Sequence, residues 1–226
     1  MSTGSASSDD TPAVFSTRLK AATWDAHHEA EQQGFTRALL DGSLPREGFA
    51  AMAAQHYFAY TALEEVGRAL ADDPVAAAVV DPALFRVPAL ERDLAALVGP
   101  DWRDLVSPSR PTRTYAARIE QMADDPAGYI AHHYTRYIGD LSGGRFIRRA
   151  AAHAYGLTDG TGLAFYAFDQ VGSLPRFKEG YRARIDALGL DEAAQRRVVR
   201  ETRLAYQLNT EVLADLERTH TTGLAA

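Results

Sequence analysis

One short segment, Tyr134–Phe146 (YTRYIGDLSGGRF), combines a carboxylate with three glycines inside what otherwise reads as a long helix. Gly139 and Gly143 are four residues apart and share one helix face, while Asp140 and Gly144 share the adjacent face. Each glycine in a helix interior costs roughly 0.8–1.0 kcal/mol relative to alanine. A face without side chains lets a flat ligand or another helix approach the backbone closely, and it permits a kink.

The carboxylate of Asp140 favours a ligand at this face. A buried carboxylate must be hydrogen-bonded or paired, so it is a poor device for packing two helices together. It is a plausible device for holding ordered water against a flat ligand. Arg136 and Tyr134 flank it in the sequence. Close packing of helices on the small residues remains the alternative from these residues alone.

The histidines limit how a metal could be held. The chain has 7 histidines and no cysteine, no H-x-x-x-H pair, and no E-x-x-H in the paired form that di-iron bundles need. A metal cage made of protein side chains alone is therefore not expected, whereas a haem iron needs one good histidine. In LKAATWDAHHEAE, Lys20 lies seven residues before His27, and Glu31 lies four after it. Glu31 could orient the imidazole, or the two could form an ordinary surface pair.

Composition restricts the class of protein. The 226 residues carry a net charge of −6, which gives no general attraction to nucleic acid or anionic membranes. The absence of cysteine excludes disulfides, thiolate metal sites and cysteine nucleophiles. The N-terminus does not resemble a secretory signal, and no window approaches the ~20 apolar residues of a membrane span. We therefore expect a cytoplasmic protein without a membrane anchor.

Hydrophobic periodicity predicts an all-α, single-domain protein of six to eight helices. We expect a disordered tail over residues 1–12, a domain over residues 13–217 and a flexible tail over residues 218–226. The pattern predicts one long first helix from Val14, another continuous helix from Pro126 to Tyr155, and a last helix from Asp191 to about Glu217.

Several segments resemble one known family. YTRYIGDLSGGRF resembles the signature of haem oxygenases, and LKAATWDAHHEAE resembles the helix that carries their proximal histidine. HYFAYTALEE, ALERDLAALVGPDW and AFYAFDQVGSLPRFKEGYRAR also resemble family segments, in the right order. The resemblance covers about residues 15–216. It implies a helical bundle in which haem b is sandwiched between a proximal helix and a kinked distal helix.

The resemblance also implies roles for individual residues near the iron. His27, and not its neighbour His28, matches the proximal iron ligand. The glycines would be where the distal backbone lies on the porphyrin. Asp140 would not touch iron but would hold water that delivers a proton to bound O₂, and Arg136 could extend that network. The residues matched to the distal helix are Gly139, Asp140, Gly143 and Gly144.

Cations are matched to the two haem propionates. Lys178 and Arg182 are four residues apart on one helical face, which suits them to bind a carboxylate; without the resemblance, a solvated basic face would be preferred. Fixing the propionates would decide which meso carbon reacts, and the α position is the usual one in the family. The complete set implied as propionate contacts is Lys20, Tyr134, Lys178 and Arg182.

Two residues depart from the family pattern. Trp24 stands where some members carry a basic residue near the exposed haem edge, on the side where a redox partner would approach. Arg145 follows the double glycine where glutamine is common.

The activity implied is cleavage of haem with O₂ and electrons, giving biliverdin, Fe²⁺ and CO. No flavin or nicotinamide fingerprint is present, so the electrons would come from a separate donor of the ferredoxin, flavodoxin or flavin reductase type. A monomer is expected. The alternatives are a non-catalytic haem-binding or haem-transfer protein on the same fold, a thiaminase-like hydrolase that shares the helical architecture, and a helical interaction module.

Overall fold

The computed structural model describes residues 14–221, and all the regular structure in that range is helical. The tail predicted at residues 1–12 and the end of the tail predicted at the C-terminus lie outside the described residues. The helices are α1 Phe15–Ala22, α2 Trp24–Glu31, α3 Gly34–Asp41, α4 Arg46–Ala69, α5 Val87–Leu97, α6 Trp102–Leu105, α7 Arg110–Glu120, α8 Pro126–His133, α9 Gly139–Tyr155, α10 Leu174–Ala187 and α11 Glu192–His220.

The prediction of one long first helix was wrong, because the structure divides that segment into α1, α2 and α3. Thr23 leaves helical geometry at φ −114° and ψ 7°, and its hydroxyl donates to the Leu19 carbonyl at 2.8 Å. A second break at Gln33, in extended geometry, precedes α3. The breaks allow α2 to pack on α11 and α3 to pack on α9 and α11. Lys20 and His27 consequently lie on different helices.

The core lies where α4, α7, α8 and α11 meet. The long helix α4 packs against α5 and α7, and α11 packs against α7 and α8. Large side chains fill the interior between them, which is where the apolar periodicity of each helix points. The largest fully buried ones include Tyr60, Tyr115, Tyr129, Tyr137, Tyr181, Phe35 and Phe49.

The helix predicted from Pro126 to Tyr155 is interrupted by one π-helical turn, Tyr134–Ile138, that joins α8 to α9. A π turn inserts an extra residue into a helix and is frequent at functional sites. The glycines themselves are in regular α-helix, with Gly139 at φ −59° and ψ −55°. The irregularity therefore precedes the glycines and does not lie on them.

The C-terminal helix is longer than predicted. It ends at His220, so residues 218–220, which were assigned to the flexible tail, are helical. Thr219 extends the hydrogen bonding of the last turn, since its hydroxyl donates to the Asp215 carbonyl at 3.0 Å. Across residues 14–221, no helix combines the length and the apolar character needed to cross a bilayer.

Candidate functional site

A cleft of about 280 Å³ brings together residues from five helices, α1, α2, α9, α10 and α11, and from the π turn. It contains the predicted proximal histidine, one distal glycine and the predicted propionate contacts. It is lined by Lys20, Thr23, Trp24, His27, Tyr134, Ile138, Gly139, Ser142, Lys178, Arg182 and Tyr206.

The two adjacent histidines of α2 differ in position. His27 lines the cleft, where its ring lies edge-on to Tyr206 at 5.8 Å and parallel to Trp24 at 6.4 Å between centroids. His28 does not line it; its Nδ1 lies 3.3 Å from the Trp24 carbonyl on the same helix. The geometry therefore favours His27 over His28 as a ligand for anything bound in the cleft. The side chain of Glu31, predicted to orient His27, lies outside the described part of the structure.

The glycines of α9 do not share one environment. A Cβ built on Gly139 or on Gly143 meets no atom within 4 Å, so this strip of α9 faces open space. A Cβ on Gly144 would lie 3.0 Å from the ring of Tyr166, so Gly144 permits close packing within the protein. The bare strip formed by Gly139 and Gly143 therefore leaves the helix backbone accessible to a flat group.

Three cations gather at the cleft without an acidic partner. Within residues 14–221, Lys20, Lys178 and Arg182 make no ion pair with a carboxylate, and Lys178 Nζ donates to Ser142 Oγ at 3.3 Å. Partial burial, followed by the charges of Arg182, Arg145 and Lys20, lowers the pKa of Lys178. Because like charges held together repel each other, the cluster is suited to an anionic ligand. Two propionates fit that requirement.

Asp140 points away from this cleft toward α4. Its Oδ2 accepts a hydrogen bond from the hydroxyl of Tyr60, which is fully buried. Burial raises the pKa of Asp140, while the charge of Arg136 and the Tyr60 hydrogen bond oppose the rise. Asp140 also lines a second cavity, of about 730 Å³, that runs along α9 beside Tyr166. The structure therefore puts the carboxylate next to the bare strip but not in the cleft that contains His27.

Arg136 is buried and incompletely hydrogen-bonded. Its Nη1 donates to Asn209 Oδ1 at 2.6 Å, and its Cζ lies 4.9 Å from the centroid of the Tyr60 ring. Its Nε and Nη2 are buried and donate to no atom of the described residues. Burial opposes its charge, but the oxygens of Tyr60 and Asp140 outweigh burial and raise the pKa of Arg136. Unused charged donors in a polar interior are the usual partners of ordered water.

Sequence reasoning missed Tyr60 and Asn209. Both belong to helices distant in sequence, 80 residues from Asp140 and 73 residues from Arg136 respectively. Tyr60 lies in HYFAYTALEE, which was noted as a resembling segment without a role for any residue. The structure also locates the two residues that depart from the family pattern. Trp24 is 50% exposed and lines the cleft. The guanidinium of Arg145 lies 4.6 Å from the centroid of the Phe146 ring.

The arrangement can hold a flat, dianionic group that brings its own metal. No group of three or more histidine, aspartate or glutamate side chains within the described residues could bind a metal ion. A metalloporphyrin needs a single axial imidazole, a flat bare surface and cations for its carboxylates. Those three features occur together in the cleft.

Comparisons with known proteins place the chain among proteins whose solved structures include complexes with heme. The sequence model of the family described as "Heme oxygenase" matches residues 13–215. The chain is 38% identical over 219 residues to "Heme oxygenase 1" of Pongo abelii, covering 95% of this chain and 76% of that protein. It is similar to the crystal structure of heme oxygenase-1 from the cyanobacterium Synechocystis sp. PCC6803 in complex with heme (TM-score 0.89, 33% identity, 94% and 96% coverage). It is also similar to heme oxygenase-2 from Synechocystis sp. PCC 6803 in complex with heme and NO (TM-score 0.88, 36% identity, 92% and 86% coverage).

Proposed function

The chain belongs to the haem oxygenase family and is an enzyme that cleaves haem to biliverdin, Fe²⁺ and CO, and on this basis we propose which residues bind the haem and direct its reaction. The fold is the all-α fold of that family. The observation that supports the proposed binding site best is the shared cleft of His27, Gly139, Lys178 and Arg182. They would provide an imidazole for the iron, a bare backbone surface for the porphyrin and unpaired cations for the propionates.

His27 is the proposed iron ligand, from α2. Gly139 and Gly143 are proposed to form the surface on which the opposite porphyrin face lies, since no atom stands within 4 Å of a Cβ at either position. Lys20, Tyr134, Lys178 and Arg182 are proposed to hold the propionates. Gly144 is better supported as a packing residue against Tyr166 than as a haem contact.

Asp140 is the proposed centre of proton delivery. When bound, haem would supply the iron at which O₂ is reduced, a reaction that consumes protons. Water held between Asp140 and the unused donors of Arg136 would provide a proton without a side chain that blocks O₂. Tyr60 keeps the carboxylate oriented and favours its ionised form, because its hydroxyl donates to it.

The finer features of the reaction are also proposals. We propose that electrons come from a separate donor protein of the ferredoxin, flavodoxin or flavin reductase type, that O₂ is the co-substrate, and that the α-meso carbon reacts. A monomer working in the cytoplasm is the simplest arrangement consistent with these assignments. Size-exclusion chromatography with light scattering and cell fractionation would test the last two.

The function is tested by adding haemin to the purified protein and then a reductant in air, with absorbance recorded over time. We expect a Soret band that decays while biliverdin absorption appears, and chromatography of the bilin identifies the carbon attacked. A Soret band that persists in the presence of a competent reductase would indicate a haem carrier. No Soret band would indicate that this chain has lost haem binding.

The iron ligand is tested with His27→Ala and the matched control His28→Ala. We expect His27→Ala to lose the absorption spectrum of imidazole-ligated haem and to lose biliverdin formation, and His28→Ala to retain both. Added imidazole should restore part of the spectrum of His27→Ala by occupying the vacated axial position. Full activity in His27→Ala together with loss in His28→Ala would show that the ligand was assigned to the wrong neighbour.

A further inference from the structure

A buried hydrogen bond joins the start of the distal segment to α10. His133, the last residue of α8, lies 2.9 Å through its Nδ1 from the hydroxyl of Tyr181 in α10. Their rings are nearly parallel, at 13° with centroids 5.6 Å apart, and the two side chains are 1% and 0% exposed. His133 directly precedes the π turn that leads into the glycines.

Tyr181 occupies the buried face of the turn that carries the proposed propionate cations. Lys178 precedes it by three residues and Arg182 follows it directly, so both leave the helix on the face next to it. A displacement of Tyr181 therefore moves both cations together. Another polar anchor of α10, Asp186, accepts from Ser16 N at 2.7 Å and from Ser16 Oγ at 2.8 Å, and it ties the helix to α1.

We propose that the His133–Tyr181 hydrogen bond sets the position of the propionate-binding cations relative to the distal helix, and thereby the in-plane rotation of the haem and the meso carbon that is cleaved. This inference rests on the proposed binding of the propionates by Lys178 and Arg182. The distal segment determines where bound oxygen lies over the ring, and α10 determines where the ring's propionates lie. The angle between the two determines which edge of the ring the oxygen meets.

Other links between α10 and the distal segment are less suited to this role. The hydrogen bond from Lys178 Nζ to Ser142 Oγ, at 3.3 Å, is exposed, and the Lys178 side chain is itself proposed to bind haem. Exposed polar contacts of long side chains contribute little to a fixed geometry. The His133–Tyr181 pair is rigid because both rings are enclosed and each has few rotamers.

The bond is a positioning device and takes no part in proton transfer. Burial, with a further contribution from the charge of Arg184, lowers the pKa of His133 to about 3. Burial also raises the pKa of Tyr181 well above its ordinary value. Both side chains are consequently neutral near neutral pH, and the link does not switch with pH there.

The test compares Tyr181→Phe with Tyr129→Phe. Tyr129 is an equally buried tyrosine of α8, 1% exposed, whose hydroxyl donates to the Leu63 carbonyl at 3.1 Å and so links α8 to α4 instead of α10. Each substitution removes one buried hydroxyl and one hydrogen bond, so the loss of stability should be similar. A His133→Leu/Tyr181→Phe double variant removes the link without leaving a buried polar atom unpaired, which protects against a folding failure.

Two readouts are needed, one with turnover and one without. The first is the ratio of bilin isomers separated by chromatography. The second is the pattern of hyperfine-shifted haem methyl resonances in the ferric cyanide complex, which reports in-plane rotation in the resting protein. For Tyr181→Phe and for the double variant, we expect the isomer ratio to change about threefold to tenfold, the range that corresponds to the loss of one buried hydrogen bond. We also expect a second set of haem methyl resonances in both variants. Tyr129→Phe should match the unsubstituted protein in both.

Three outcomes would overturn the inference. Unchanged isomers and methyl resonances in a folded Tyr181→Phe or double variant would show that the bond does not position the haem. Equal changes in Tyr129→Phe would show a general loosening of the core. Arg182→Gln distinguishes this inference from the propionate assignment on which it rests. Unchanged isomers and methyl resonances in Arg182→Gln would refute the propionate assignment. A change in Arg182→Gln without a change in Tyr181→Phe would refute only the role of the His133–Tyr181 bond.

Discussion

Removing the Tyr60 hydroxyl tests how the distal carboxylate is tuned. Tyr60 donates to Asp140 from a fully buried position on α4. Burial raises the pKa of Asp140, and the hydrogen bond from Tyr60 is one of the effects that hold the rise in check. Tyr60→Phe keeps the ring and removes the donor. The pKa of Asp140 should therefore rise further, and the carboxylate should be protonated at a higher pH than in the unsubstituted protein.

The size of the effect follows from the type of bond. A hydrogen bond to a charged group contributes about 1.5–3 kcal/mol, and one pKa unit corresponds to about 1.4 kcal/mol. The acid limb of the rate of biliverdin formation should therefore move upward by about one to two pH units. The direction is upward because the lost interaction stabilised the ionised form alone. At a pH well above the new limb, the rate should fall much less.

The assay is single-turnover biliverdin formation from pH 5 to 9, with haem saturating and the same reductant for every variant. Tyr137→Phe is the matched control. Its ring lies edge-on to Tyr60 at 5.3 Å, and its hydroxyl is buried without a hydrogen-bond partner among residues 14–221. Its acid limb should match that of the unsubstituted protein. An acid limb of Tyr60→Phe that superimposes on the unsubstituted one would refute the idea that this hydrogen bond tunes Asp140 during turnover.

Two further predictions separate stability from function. Gly143→Ala should stabilise the haem-free protein by up to about 1 kcal/mol in urea unfolding, because alanine is the better helix former and its Cβ meets open space. The same substitution should weaken haem binding in a titration. Improved stability with unchanged haem affinity would show that haem does not lie on this strip. Gly144→Ala should lose that gain, since its Cβ would lie 3.0 Å from Tyr166. Glu201→Gln should destabilise the protein by about 1–3 kcal/mol, because Arg118 and His132 donate to the Glu201 carboxylate at 2.6–2.9 Å and water can solvate part of the Arg118 charge that is left. Glu192→Gln, which breaks a solvent-exposed pair with Arg196, should change stability by less than about 1 kcal/mol. Equal effects in the last two variants would contradict the structural role of Glu201.

The same carboxylate predicts how stability depends on pH. Burial alone would raise the pKa of Glu201, but the hydrogen bonds from His132 and Arg118 outweigh it and lower the pKa from 4.5 to about 2. Its contribution should therefore be present above about pH 4.5 and be lost as the pH falls toward 2. Urea unfolding at pH 6 and at pH 3.5 checks this, since Glu201→Gln should show a smaller loss of stability on acidification than the unsubstituted protein.

Much of the site was predictable because its signals are local. The helical class follows from apolar periodicity over single segments. The bare strip follows from the four-residue spacing of Gly139 and Gly143, and the cation pair from the same spacing of Lys178 and Arg182. The resemblance of LKAATWDAHHEAE to a known helix selected His27 over His28, and the cleft in the structure favours the same histidine. Each of these inferences needs only residues within one or two helical turns of each other.

Other features depended on the tertiary structure because they join residues far apart in the chain. No spacing in the sequence pairs Asp140 with Tyr60, or Arg136 with Asn209. The first helical segment breaks at Thr23 and at Gln33, and the breaks allow α2 and α3 to pack on α11, a tertiary contact that local propensity does not predict. By itself, the sequence predicted a set of candidate haem-binding residues, which stays a prediction. Packing decided which of them face one cleft, because the direction of a side chain is set by the helices around it.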